Sequence, residues 1–309
     1  MADTEGGSRA GWRCAGLRWS TAGAAPEPAL VWRHPARGER LSPLPPGRPL
    51  AFTTGDGRRC VGVRKGGRHT PCPDAAAVPE TAVSAQCPQC ARLDRSHSVA
   101  ADTIADDPRP YDAYLAWFAP GLTKVGITAA ERNGARLLEQ AALSYALLGR
   151  GPLMAARRAE AVLGAALAVP DRFPYAAKRA ARHPAAPPAD RAAELAELHE
   201  RALGLAGLPE SLAVRDFAPV HHDAAFHLDR VRSVFGVVGL APGRTVAGRV
   251  AAVAGPDVYV DTPEGQLLLD ARRLAGWVLT AAAPDATTTA PVRAAVRAAV
   301  RPAEPDALF

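Results

Sequence analysis

Short apolar runs at 15–19, 29–32 and 49–53, broken by Gly and Pro clusters, predict a small antiparallel β module over 1–59, with 1–10 as a loose leader. Residues 60–107 hold four cysteines and few core positions. The stiff Asp106-Asp107-Pro108-Arg109-Pro110 marks a boundary. Beyond it, Tyr114-Leu115-Ala116-Trp117-Phe118 reads as a strand, Ala119-Pro120-Gly121 as a turn and Lys124-Val125-Gly126-Ile127 as a second strand. Thr128-Ala129-Ala130-Glu131 has the form of a capping box, in which the Thr oxygen and the Glu carboxylate each take a free backbone N–H, so a helix is expected from 129 with Leu137 and Leu138 on its inner side. An apolar run at 143–148 predicts a third strand, and Pro152 opens an Ala-rich amphipathic helix over 153–167. The order within 108–170 is β-β-α-β-α.

A Pro-rich stretch and a helix capped by Asp190 predict a helical connector over 171–240. Val258-Tyr259-Val260 and Leu267-Leu268-Leu269, joined by a turn at Pro263-Glu264-Gly265, predict a second small β module over 241–281. The Ala-, Pro- and Thr-rich residues 282–309 are expected to be disordered, with a helical turn or two at 292–297. The expected class is α+β and modular.

At 309 residues the chain has room for about two domains, and 48% hydrophobic with 22% charged residues argues against wholesale disorder. No apolar run approaches the roughly 18–20 residues that span a bilayer. The first residues lack the basic and apolar regions of a secretory signal, so a cytoplasmic, reducing location without disulfides is expected. The formal charge is +6, but only three of the 37 basic residues are Lys (Lys65, Lys124, Lys178), Ile occurs twice (Ile104, Ile127) and Asn once (Asn133). That skew is what GC-rich codons produce, and it weakens the basic charge as a sign of a polyanionic partner. It also makes one place stand out, because Lys124, Ile127 and Asn133 fall within ten positions.

Cys87-Pro88-Gln89-Cys90 is a C-x2-C knuckle, and Cys60 and Cys72 lie upstream. Four soft ligands suit tetrahedral Zn²⁺, so Cys60, Cys72, Cys87 and Cys90 are expected to hold one structural zinc, with His69 as the alternative fourth ligand. Buried free thiols would need more apolar surroundings than this Gly-rich segment offers, and a redox pair would need a βαβ context that is absent. Cys14 stands alone and reads as core. His221-His222-Asp223 with His227 lacks metal-ligand spacing and reads as a solvated loop or strand edge.

Tyr114-Leu115-Ala116, Lys124-Val125-Gly126-Ile127-Thr128, Arg132 and Glu160, in a β-β-α-β-α order, resemble the GIY-YIG nuclease superfamily over about sixty residues. The resemblance puts Tyr114 at the first motif's Tyr, Gly126 at the second motif's Gly, Arg132 or Arg136 at the helix Arg and Glu160 at the metal-binding Glu. No Gly-Ile precedes Tyr114, and Lys124 stands roughly where the second Tyr would be. More broadly, the cysteine segment followed by Asp-Pro-Arg-Pro-Tyr, Tyr-Leu-Ala and Lys-Val-Gly-Ile-Thr resembles a prokaryotic family of unknown function, domain-of-unknown-function family 2797. The nuclease resemblance implies a catalytic set of Tyr114, Lys124, Arg132 and Glu160, with Glu160 holding Mg²⁺ or Mn²⁺ and Lys124, Arg132 and Arg136 contacting nucleic acid. Phosphodiester hydrolysis needs a metal-holding carboxylate and a cation for developing charge, and these residues carry that inventory. Each also has a plainer reading: Glu160 as a helix charge beside Arg157, Tyr114 as core, Arg132 as a paired surface residue. The function expected is nucleic-acid binding or processing; a non-catalytic zinc-stabilised binder and a protein-interaction scaffold are the alternatives.

Overall fold

The computed structural model describes residues 11–65, 68–96, 107–170, 172–283 and 285–294. They form two compact units, one from the described residues up to 96 with Asp229–Ala294, the other from the described residues up to Leu228 that lie between. The fold is mixed α+β. No helix among the described residues is long and apolar enough to cross a membrane.

The first unit begins with an antiparallel meander of β1 (Arg13–Ser20), β2 (Glu27–His34) and β3 (Gly38–Pro43). It continues through β4 (Pro49–Thr54), the small hairpin β5 (Val63–Lys65) and β6 (Arg68–Thr70), and helix α1 (Pro88–Ser96).

The second unit contains β7 (Tyr111–Trp117), β8 (Thr123–Ala129), a 3-10 turn Ala130–Arg132, α2 (Ala135–Glu139), β9 (Ser144–Gly151) and α3 (Leu153–Leu167). Helices α4 (Tyr175–Ala181) and α5 (Pro188–Leu203) follow, then the two-residue strands β10 (Ala213–Val214) and β11 (Val220–His221), both paired with β9, and α6 (Asp223–Phe226). The stretch expected as a helical connector therefore also adds strands to this sheet. Strand order is β10-β9-β7-β8, with β8 at the edge and β7 buried along its whole length.

The chain then returns to the first unit with β12 (Val234–Val238), β13 (Thr245–Ala254), β14 (Asp257–Thr262), β15 (Gly265–Asp270), β16 (Leu279–Ala281) and β17 (Val292–Ala294). These join β4 in a seven-stranded sheet of order β16-β4-β13-β14-β15-β12-β17. Strand β4, expected in a separate N-terminal module, thus shares a sheet with the C-terminal strands, pairing with β13 from Pro49↔Arg249 to Thr53↔Thr245, while β1–β3 form a sheet of their own. Trp19, Leu30, Phe52, Val258, Leu269 and Trp277 are buried in this unit. Trp19 also donates its indole N–H to the carbonyl of Gly255 at 3.0 Å.

Three local expectations are corrected. The helix expected from 129 is interrupted, because β8 extends to Ala129 and both Asn133 (φ 42°) and Gly134 (φ 78°) turn left-handed before α2 starts. Glu131 does not return to the backbone as a capping box requires; its carboxylate accepts from Arg109 at 2.6 Å. Arg109 and Tyr111 also donate to Asp107 at 2.9 and 2.6 Å, which holds the Asp107 carboxyl well below its ordinary range. Asp190 lies in the first turn of α5, while Pro187 is the capping position. In the stretch expected to be disordered, Val292–Ala294 is a strand paired with β12 rather than a helical turn. The leader 1–10 and residues 295–309 lie outside the described residues.

Candidate functional site

In the first unit, Cys60, Cys72, Cys87 and Cys90 converge, their sulfurs all within 4.8 Å of one another. Four thiolates arranged tetrahedrally at about 2.3 Å from Zn²⁺ stand about 3.8 Å apart, and the Cys72 and Cys87 sulfurs are 4.0 Å apart. The sulfurs are oriented by backbone N–H groups: Cys60 Sγ accepts from Gly62 at 3.4 Å and Cys87 at 3.2 Å, and Cys87 Sγ accepts from Cys90 at 3.5 Å. The Cys90 N–H is the leading cause that brings the Cys87 thiol down to about 7, whereas burial pushes Cys60 up. Gly62 matters because its φ is 76° and a Cβ there would collide with the Thr70 carbonyl.

All four cysteines are buried, together with Val78, so the segment buries its thiols despite its Gly-rich composition. His69 is exposed and its Nε2 sits 2.6 Å from the Val61 carbonyl, outside the sulfur cluster. Arg58, 2% exposed, fastens the segment from within. Its guanidinium donates to the carbonyls of Pro79 and Ala82, between Cys72 and Cys87, and to those of Arg272 and Ala275 in the last part of the unit. Cys14 is a core thiol that burial pushes up to about 12.

In the second unit the register sets Tyr114 opposite Gly126 and Ala116 opposite Lys124, so these four share one face of the sheet. Tyr114 packs with Ala116, Phe118, Leu137 and Ala142. Its ring lies across the neighbouring strand, which Gly126 permits, since a Cβ there would stand 2.5 Å from the Tyr114 hydroxyl. That hydroxyl accepts from Gln140 Nε2 at 3.1 Å. Burial raises its pKa, the Gln140 bond opposes the rise, and the charges of Arg136, Glu160 and Arg132 act on it in that order of size. Lys124 is buried with its Nζ 5.7 Å from the Tyr114 ring. Arg132 pairs with Glu139 at 2.6 Å, and Arg136 approaches the same carboxylate at 3.9 Å.

Glu160 is half-buried on α3, one turn before Gly164, whose position faces Val125 on the other face of edge strand β8. Lys124 thus lies beside the Tyr114 ring, and the charges of Arg136, Glu160 and Arg132 reach its hydroxyl, Glu160 from the helix on the other face of the sheet.

Sequence reading missed Gln140 and, above all, Lys178. Lys178 on α4 is 6% exposed and sits 3.8 Å from the Phe118 ring. Burial first, then repulsion by Lys124, Arg136 and Arg182, lowers it to about 8. A signal existed: with three Lys in the chain, the second in this region repeats the exception that singled out Lys124.

In the His221 cluster, His221 lies on the edge strand β11 with its Nδ1 2.8 Å from Ser144 Oγ, and Asp223 is exposed and held by Arg191 at 2.6 and 2.7 Å, as expected of a strand edge. Only His222 departs from that reading: it is buried, with Nδ1 2.7 Å from the Ala142 carbonyl.

Residues 47–279 match the family described as a protein of unknown function, DUF2797. The chain belongs to that family. The match runs from β4 to β16 and so takes in the four cysteines of this DUF2797 member, its Tyr114 cluster and the whole of the second unit's sheet. No curated protein and no solved structure matches the chain.

Proposed function

We propose that this DUF2797 protein binds nucleic acid through the cationic cluster of its second unit, with the four-cysteine site of its first unit holding a structural Zn²⁺. The observation that carries the reading is that Lys178, buried against Phe118, lies within charge range of Lys124 and Arg136, with Lys124 beside the buried Tyr114 ring. Burial and these neighbours disfavour the charge of Lys178, and an anionic ligand beside it would offset part of that cost. The arrangement suits a phosphate backbone, with Lys residues acting as point charges and Arg residues as forks.

Glu160 favours a second reading, phosphodiester cleavage, because its carboxylate acts on the same Tyr114 hydroxyl as the Arg residues. A divalent ion such as Mg²⁺ or Mn²⁺ fits one carboxylate when substrate phosphate oxygens complete its shell. Glu160 would hold it, and the ion would activate water and neutralise the leaving oxygen. Arg132 would meet the charge that grows on the phosphoryl oxygens. Lys124, in place of a second Tyr, would grip phosphate rather than serve as base.

The test is a screen of labelled single- and double-stranded DNA and RNA against purified full-length protein, with and without Mg²⁺ or Mn²⁺, across a salt series. Binding should weaken steeply with salt, and Lys124→Ala and Arg136→Ala should each weaken it and flatten the slope. Glu160→Ala should remove divalent-dependent cleavage and keep most binding. Binding without cleavage in wild type leaves the first reading and ends the second. Absence of both at low salt overturns both and leaves a zinc-stabilised interaction scaffold.

A further inference from the structure

The first unit contains a cavity of about 680 Å³, within the range of small-molecule sites, walled on one side by Cys60 and Cys72. Arg13, Arg33, Arg59 and Arg64 line it, with Glu39 as its one acidic lining residue. Glu39 is already shared by Arg18 at 2.7 Å and Arg33 at 3.3 Å. Arg13 donates to the Gly276 carbonyl at 2.7 Å and lies in repulsive range of Arg59, as Arg33 does of Arg64. Arg59 and Arg64 are exposed at the rim, and among the described residues no carboxylate pairs with either. Between the cations the wall is apolar, through Ala15, Pro35, Pro71 and Ala75, and the His34 ring stands beside Trp12 at 5.4 Å between centroids.

Such a cavity fits an anion with a flat, weakly polar body. A four-cysteine zinc centre would carry two net negative charges, and with Glu39 that makes three against the four lining guanidiniums and Arg18, which shares Glu39; two positive charges are left over, held by arginines with open forks. We infer that this cavity is a binding site for a nucleotide phosphate, with the phosphate on Arg59 and Arg64 and the base against the apolar wall. Bidentate guanidinium contacts are what a phosphate group recruits. The site lies within the first unit and does not depend on the Lys124 cluster. The nucleotide can be free or can terminate a strand, since both present the same group.

The experiment uses full-length, zinc-loaded protein and measures binding of AMP, adenosine, inorganic phosphate and a short oligonucleotide with and without a 5′-phosphate. Saturable AMP binding that adenosine does not compete is expected, and Arg59→Ala with Arg64→Ala should weaken it by about tenfold or more. Lys124→Ala, in the other unit, should leave it unchanged, which separates this site from the proposed cleft. Binding confined to the 5′-phosphorylated oligonucleotide and lost in the Arg59/Arg64 variant identifies the strand end as the source. The inference is overturned if neither AMP nor the phosphorylated oligonucleotide binds. It is equally overturned if the double variant binds as wild type does, or if it loses zinc and no single variant that keeps zinc weakens nucleotide binding, because the arginines then only balance the metal centre.

Discussion

Arg58→Met is expected to destabilise the first unit by about 3 kcal/mol. The substitution keeps most of the aliphatic volume, so the loss is polar. Of the four carbonyls that Arg58 bonds, Pro79 also accepts from the Ala82 N–H at 3.1 Å, which leaves the carbonyls of Ala82, Arg272 and Ala275 to lose the guanidinium. The Ala275 bond is buried and those to Ala82 and Arg272 are part-buried, so at about 1–3 kcal/mol for a fully buried acceptor the three together cost roughly 3–6 kcal/mol. Removing the guanidinium also removes its desolvation penalty of several kcal/mol, which offsets part of that sum. Asp270 is in electrostatic range but is held by Arg272 at 2.6 Å, so it compensates Arg58 only partly. A loss near 3 kcal/mol corresponds to a drop in melting temperature of about 6–12 °C in a unit of this size. Four of the five tryptophans, Trp12, Trp19, Trp32 and Trp277, belong to this unit, so denaturant unfolding followed by tryptophan emission reports mainly on it. Arg58→Lys should rescue little, because one ammonium cannot reach all four carbonyls. A change below about 1 kcal/mol in zinc-loaded protein would show that the clamp contributes nothing net and sink the reasoning.

Protein purified without chelator should contain about one zinc per chain, and Cys87→Ser should lower both the metal content and the stability of the first unit; four freely reactive thiols in wild type would refute the site. Lys178 is charged below about 8 and neutral above it, so oligonucleotide affinity should fall between pH 7 and pH 9, well before an ordinary Lys titrates. Lys178→Met should remove that step, and an unchanged pH profile in the variant would show that another group causes it. Gly126→Ala should cost the second unit about 1–3 kcal/mol, since the new methyl meets Tyr114 in a packed site. A wild-type denaturation midpoint in that variant would show that the ring moves aside freely.

Local pattern carried the second unit's β7, β8, β9 and α3, because each holds short apolar runs or an amphipathic repeat bounded on at least one side by Gly or Pro, and α3 lies over the very residues predicted. The α2 region was misread because a capping-box spelling is satisfied by sequence alone, whereas Arg109 competes for Glu131 only once β7 and β8 have paired. β3, with four exposed residues in six, offers no alternation to detect. β17 takes its conformation from pairing with β12. Four cysteines in thirty residues could be read as one site, but their order around it depends on Gly62 and on Arg58, neither of which belongs to a recognisable spacing. Lys178 was passed over because its Ala-rich helix looks solvated until Phe118 covers it.

Thr53 of β4 and Thr245 of β13 are bonded across the sheet and 192 residues apart in the chain. On a ribosome that separation becomes time. The four cysteines emerge and can capture metal while β4 still waits for its partner, and the whole second unit is synthesised, and free to fold, during that wait. Loop closure over such a length adds little free energy beyond that of a shorter loop, but it delays the contact, so the exposed edge of β4 is the vulnerable surface of the nascent chain. With the zinc proposed above, metal supply at that stage should govern yield: a chain that binds zinc early would present β13 with an ordered segment to close upon, and one that does not would present an open edge and four reactive thiols.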